Sequence, residues 1–164
     1  KQLLRASGAA VLAVTHDPEE AMDLADRIVI LSDGRVLQQG SPQEVYWRPV
    51  SVTAGRLLGD LNVLQGEVRA GQLCTAFGEL PAGNLKDGTS AMALIRPAAI
   101  RFREDDQGAV TVTDANFSGG QYRLNVESED GERLELLHHA LAAPTSGTRG
   151  ALEFDVERLS IALA

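Results

Sequence analysis

The stretch Ala9-Ala10-Val11-Leu12-Ala13-Val14-Thr15-His16-Asp17-Pro18-Glu19-Glu20-Ala21-Met22-Asp23-Leu24-Ala25-Asp26-Arg27-Ile28-Val29-Ile30-Leu31 sets the architecture of the first third of the chain. It reads as a buried strand, a sharp turn carrying a histidine, a short helix and a second buried strand. Asp17 suits the N-cap and Pro18 the first helical position, and Glu19 and Glu20 fall where the positive end of the helix dipole favours acids. Ala21, Met22, Leu24 and Ala25 supply the buried side of the helix, and Glu20 and Asp23 its solvated side. The pattern stands His16 at the carboxyl end of a parallel-type strand beside a helix N-terminus. That is the edge of an α/β fold where phosphates bind.

Outward from this stretch, Lys1–Ser7 reads as the end of a helix closed by Gly8. Asp33-Gly34-Arg35 turns the strand over 27–32 into a return over 35–39. Ser41 caps a helix over 42–47, with Pro42 at its first position and Glu44 at the capping-box position. Pro49 breaks that helix, and 52–59 forms a last short helix with a glycine stop. Beyond Asn62 the pattern turns to β. Short runs at 63–68, 72–77, 91–95, 99–103, 109–116, 121–126, 133–137 and 150–156 are bounded by glycine, proline or acidic turns. Asp130-Gly131 marks a hairpin, because such a turn needs positive φ. Strands of this length and spacing indicate a small barrel or sandwich.

The segment Ala13-Val14-Thr15-His16-Asp17 through Gly40-Ser41-Pro42-Gln43-Glu44-Val45-Tyr46 resembles the last part of the ATP-binding subunit of ABC transporters. Thr15-His16-Asp17 is similar to that family's switch-histidine loop. Asn62-Val63-Leu64-Gln65-Gly66-Glu67-Val68 and Leu94-Ile95-Arg96-Pro97 resemble the OB-like TOBE region of import-type subunits, although Ala98 stands where the family usually has Glu. The resemblance implies an α/β C-terminal piece of an ABC ATPase domain (1–48), a helical connector (49–61) and an all-β OB-like TOBE regulatory domain (62–164), a small barrel or sandwich.

The same resemblance implies a function for an intact subunit. His16 would be catalytic and contact the γ-phosphate of ATP, with ATP and Mg²⁺ as cofactors. A second copy of the ATPase subunit, membrane permease subunits and, indirectly, an extracytoplasmic substrate-binding protein would be the partners, at the cytoplasmic face of the membrane. Phe77-Gly78-Glu79-Leu80-Pro81 with Asn62-Val63-Leu64 leans towards the ferric-iron branch, with polyamine, sulfate or another inorganic ion as rivals. No G-x-x-x-x-G-K-[ST] loop occurs in the 164 residues, and the signature sequence, glutamine loop and Walker B strand are absent too. The expectation is therefore a C-terminal fragment, inactive alone and carrying no bound cofactor.

Asp17, Glu19 and Glu20 read as helix capping and dipole compensation rather than a metal or acid–base cluster. His138-His139 reads as an exposed strand end, because its spacing matches no ligand pattern; no metal site is expected. Cys74, the single cysteine, reads as a small core residue, and Trp47 as a packing anchor between the domains. A free-standing β-domain sensing a small anion or metal, with a vestigial α/β stub, is the alternative class. A net charge of -8 argues against nucleic acid, whose phosphates it repels, and the TOBE-like tail and the absence of a basic face argue against an ABC-like ATPase of DNA repair. No apolar run reaches the roughly 20 residues that span a bilayer.

Overall fold

Capping residues punctuate the first part of the chain as the sequence predicts. The computed structural model describes residues 10–164, and the helix expected over 1–7 lies outside the described residues. Asp17 opens helix α1 (Pro18–Leu24), Ser41 opens α2 (Pro42–Trp47) and Ser51 opens α3 (Val52–Leu57). Each cap side chain accepts a hydrogen bond from backbone N–H groups of the first turn, which the helix itself leaves unpaired. Between α1 and α2, strands β1 (Ile28–Ser32) and β2 (Arg35–Gly40) form an antiparallel hairpin. Asp33 (φ 50°) and Gly34 (φ 73°) make its turn in the left-handed region.

The chain divides into two units, Lys1–Gly59 and Asp60–Ala164. In the first, Ile28, Ile30, Val45, Ala54 and Leu58 form the buried cluster, with Ala21, Met22, Ala25, Leu37 and Tyr46 packed against it. Ala54 and Leu58 come from α3 and the residue after it, so the segment read as a connector is built into this core. Two expectations are corrected. Residues 10–15 form no strand, and Val11, Leu12 and Val14 are exposed. A strand needs a neighbour for its N–H and C=O groups, and no strand among the described residues lies beside this run. The α/β layer expected here is therefore replaced by three short helices on a two-stranded hairpin. Leu24, expected inside, is exposed, because the packed stripe of α1 runs through Ala21, Met22 and Ala25 and stops short of it.

The second unit is all β. Strands β3 (Asn62–Arg69), β4 (Gln72–Thr75), β5 (Gly78–Pro81), β6 (Ser90–Ile95) and β12 (Leu159–Leu163) make one antiparallel sheet, in the order β12-β6-β3-β4-β5. Strands β7 (Ile100–Glu104), β8 (Val110–Ser118), β9 (Gln121–Ser128), β10 (Arg133–His138) and β11 (Arg149–Phe154) make the other, in the order β10-β9-β8-β11-β7. The two outer strands of the second sheet, β7 and β10, lie next to each other, so the sheet curls towards a closed barrel. The ring of Phe102 on β7 meets His138 on β10 edge-on at 6.3 Å.

Every strand predicted after Asn62 is present; β5 and β12 were not foreseen. Strand β5 buries only Leu80 and ends on Pro81, a residue that edge strands tolerate. Strand β12 alternates Leu159, Ile161 and Leu163, a period-two signal present in the sequence. Cores form on the inward faces: Leu64, Val68, Leu73, Leu80 and Ile95 in one sheet, and Phe102, Val112, Leu124, Val126 and Leu136 in the other. Each such side chain contributes about 1.5–3 kcal/mol on burial.

Polar side chains join the sheets. Asn62, on β3, donates through Nδ2 to the Glu135 carbonyl (2.7 Å) and accepts through Oδ1 from the Glu135 N–H (3.0 Å). Arg96, the largest fully buried side chain, donates to the Asp60 carbonyl at 2.8 Å. Arg123 on β9 donates to the Asp60 carboxylate at 2.7 Å and also pairs with Glu135. The Asp60 hydrogen bond is the main cause that raises the pKa of Arg123 above its ordinary value, with the charge of Glu135 adding to it and desolvation opposing.

Close approach places two glycines, one against a neighbouring backbone and one against an aromatic ring. A Cβ on Gly66 would stand 2.2 Å from the Cys74 carbonyl oxygen, and one on Gly150 would stand 2.2 Å from the Phe102 ring. We expect Gly66→Ala to lower unfolding free energy by about 1–3 kcal/mol, since the backbones must separate. Asn62→Ala, which orphans both part-buried backbone groups of Glu135, should cost about 1–3 kcal/mol. Urea unfolding followed by circular dichroism measures both; an unchanged midpoint for Asn62→Ala removes the joining role.

Candidate functional site

Thr15, His16 and Asp17 form a turn braced by its own short bonds. The Asp17 N–H donates to Thr15 Oγ1 at 3.0 Å. Asp17 Oδ1 accepts from the N–H groups of Glu19 (2.9 Å) and Glu20 (3.2 Å), and its carbonyl accepts from Ala21 N–H at 3.1 Å. Asp17 is thus occupied as a cap, and Glu19 and Glu20 lie in the first turn, where the dipole favours them. His16 is held between the two braced residues with its side chain exposed, lining a shallow open depression with Asp17, Pro18 and Glu19. Its surroundings offer an imidazole beside a helix start to solvent, an arrangement able to donate a hydrogen bond to an anion.

The other sequence candidates are scattered. His138 ends β10 half-buried and His139 follows it exposed, the strand-end position expected. Among the described residues no three His, Cys, Asp or Glu side chains converge as a set able to hold a metal ion. Cys74 is half-buried on β4. Trp47 closes α2 and packs edge-on against Tyr46, with ring centroids 4.8 Å apart. Ala98, standing where the resembling family has Glu, is exposed in the turn Pro97–Ala99.

Residues given no role in the sequence reading hold the β-unit together. Asn62 and Arg96 lie within the quoted motifs, yet both fall just outside the strands expected over 63–68 and 91–95, and periodicity gives neither a role. A signal was available for Arg96: flanked by Ile95 and Pro97 in an apolar run, an arginine is buried only if its donors find acceptors.

The protein-family model described as TOBE domain matches residues 93–161. The Fe(3+) ions import ATP-binding protein FbpC of Streptomyces coelicolor is 37% identical over 156 residues, covering 94% of this chain and 45% of that protein. The sulfate/thiosulfate import ATP-binding protein CysA 2 of Agrobacterium fabrum is 34% identical, covering 88% and 43%. The spermidine/putrescine import ATP-binding protein PotA of Marinobacter nauticus is 33% identical, covering 82% and 39%. The chain therefore spans less than half the length of the curated relatives it matches. Among solved structures, the cytoplasmic molybdate-binding protein ModG superposes with a TM-score of 0.52 at 13% identity, covering 63% of this chain and 96% of that one. That likeness supports the β fold.

The capping box of α2 has a titration consequence. Glu44 accepts from the Ser41 N–H at 2.8 Å and from its hydroxyl at 2.9 Å, and these bonds hold its pKa below the ordinary 4.5. A carboxylate with a depressed folded pKa stabilises the fold above its unfolded value, and that stabilisation is lost as pH falls through the folded one. We expect carbon-detected NMR to place the Glu44 midpoint below 4.5, and Ser41→Ala to move it up. A midpoint unmoved by Ser41→Ala would mean that the box is not formed in solution.

Proposed function

We propose that this chain, which matches importer ATP-binding proteins over most of its length and the TOBE-domain model over residues 93–161, is the C-terminal part of an ABC-importer ATP-binding subunit. In this reading the intact subunit hydrolyses ATP with Mg²⁺ and couples the hydrolysis to import. It works as a pair docked on permease subunits at the cytoplasmic face of the membrane, and an extracytoplasmic binding protein supplies the cargo. The observation that carries it is the match over most of this chain to importer ATP-binding proteins, together with a braced turn that presents His16 to solvent.

ATP with Mg²⁺ supplies the activated phosphoryl group. On this chain, Thr15 and Asp17 fix the turn and His16 offers its imidazole to the γ-phosphate and helps position the attacking water. The remaining groups that such chemistry requires, a phosphate-cradling loop and Mg²⁺ ligands, belong to motifs outside these 164 residues, so this chain alone is expected to show no turnover. The TOBE domain is the regulatory and pairing part. Fe(3+), sulfate and polyamine importers match with similar identities, and our lean is towards ferric iron. The cargo is chosen by the permease and binding protein, and transport assays with each cargo are its test.

His16→Ala in the intact subunit should leave ATP binding largely intact and lower turnover at least about tenfold, equivalent to about 1.4 kcal/mol of barrier. Phosphate-release kinetics beside nucleotide titration measure both. Turnover equal to wild type would sink the role.

A further inference from the structure

Aspartate followed by glycine can react with its own backbone, because glycine has no side chain to shield the amide next to the carboxyl. The pair occurs three times, at Asp33-Gly34, Asp87-Gly88 and Asp130-Gly131, and all six residues are exposed. In the reaction the glycine nitrogen attacks the aspartate Cγ. A C–N bond forms, the amide proton is lost, a C–O bond breaks and water leaves, closing a five-membered succinimide. Water then opens the ring at either carbonyl. One opening returns aspartate; the other gives isoaspartate, whose backbone runs through Cβ and is one atom longer. The step needs a glycine nitrogen released from hydrogen bonding and a carboxyl able to swing onto it.

The three pairs differ in both respects. The Asp87 carboxylate accepts from the N–H groups of Ala70 (3.0 Å) and Gly71 (3.2 Å), and Gly88 N–H donates to the carbonyl of buried Val68 at 2.8 Å. Gly131 N–H donates to the Ser128 carbonyl at 3.0 Å, and buried Ser128 is also bonded to Glu132 through its N–H and its hydroxyl. Freeing either nitrogen therefore disturbs a buried residue of the β-unit. At the remaining pair, Gly34 N–H donates to no acceptor among the described residues. The Asp33 carboxylate accepts only from the adjacent Ser32 hydroxyl at 3.0 Å, a bond that draws electron density from Cγ without tying the carboxyl to another segment. This turn also opens at little cost. The hairpin register shifts between Ile30 and Leu31, and beyond that point Leu31 and Val36 are exposed, so the tip can fray without uncovering Ile28 or Ile30.

We propose that Asp33-Gly34 is a self-modification site that forms isoaspartate, and that the change loosens the β1–β2 hairpin. The turn consists of Asp33 at φ 50° and Gly34 at φ 73°, with Ser32 opposite Arg35. Loop length and turn type set the register of such a hairpin. One added backbone atom at Asp33 lengthens the loop, and the pairing that brings Ile28, Ile30 and Leu37 into one cluster loses its turn.

Ageing the 164-residue chain for weeks in heavy-oxygen water at mildly acidic pH, followed by electron-transfer fragmentation of its peptides, tests the site. Each ring opening places a heavy oxygen in the aspartyl residue, and the fragments locate isoaspartate. Label at Asp33 should run at least about fivefold ahead of Asp87 and Asp130, the order of effect of one backbone bond that need not be broken. Asp33→Glu, which would have to close a larger ring, should abolish it, and Ser32→Ala should slow it. Amide exchange over 28–32 and 35–40 should be faster in the isoaspartyl chain than in the fresh one. Label arriving first at Asp87 or Asp130, or at all three together, overturns the site, and unchanged exchange overturns the loosening. The ATPase reading is judged separately, by phosphate release from the intact His16→Ala subunit.

Discussion

The β-unit depends on one carboxamide. Asn62 stands at the start of β3 in one sheet and satisfies both backbone groups of Glu135 on the edge of the other. An edge N–H and C=O that would otherwise face water or invite another strand are thereby turned inward to join two sheets. Geometry makes asparagine suited to this: its side chain carries a donor and an acceptor side by side and mimics a strand's own peptide group. Around it, Arg96 and Arg123 hold the backbone and side chain of Asp60, so the chain enters the unit already tied to both sheets.

This junction also explains why a charged residue can be buried in an apolar run. An unpartnered guanidinium inside a protein is costly, whereas one donating to a fixed carbonyl recovers much of its lost hydration. Arg123, more exposed, is flanked by two carboxylates, and being partly solvated the network contributes more to geometry than to net stability.

The first unit follows a different economy. Its hairpin is apolar on both faces: Ile28 and Ile30 are buried, while Val29, Leu31 and Val36 stay exposed. A strand with that composition is suited to cover on both sides, and the described residues supply cover on one. Local bonds compensate. The caps at Asp17, Ser41 and Ser51 and the clamp of Gln38 on Arg48 and Val50 hold helices too short to persist alone. The turn bearing His16 takes its shape from the short bonds of Thr15 and Asp17.

Local interactions divide what could be read from what could not. Asp17, Pro18, Ser41, Glu44 and the Asp-Gly turns act over a few residues, so the sequence by itself determined the helix starts, the two hairpin turns and eight of the ten β-unit strands. The place of His16 just before a helix start was legible for the same reason, but the strand it was expected to end is absent. Strand status at residues 10–15 was not legible, because a strand exists only through its neighbour. Nor was the pairing of β12 with β6, or the work of Asn62 across 73 residues of chain. Such contacts join segments whose separation carries no periodic signal; only the tertiary structure, by setting which edges meet, decided them.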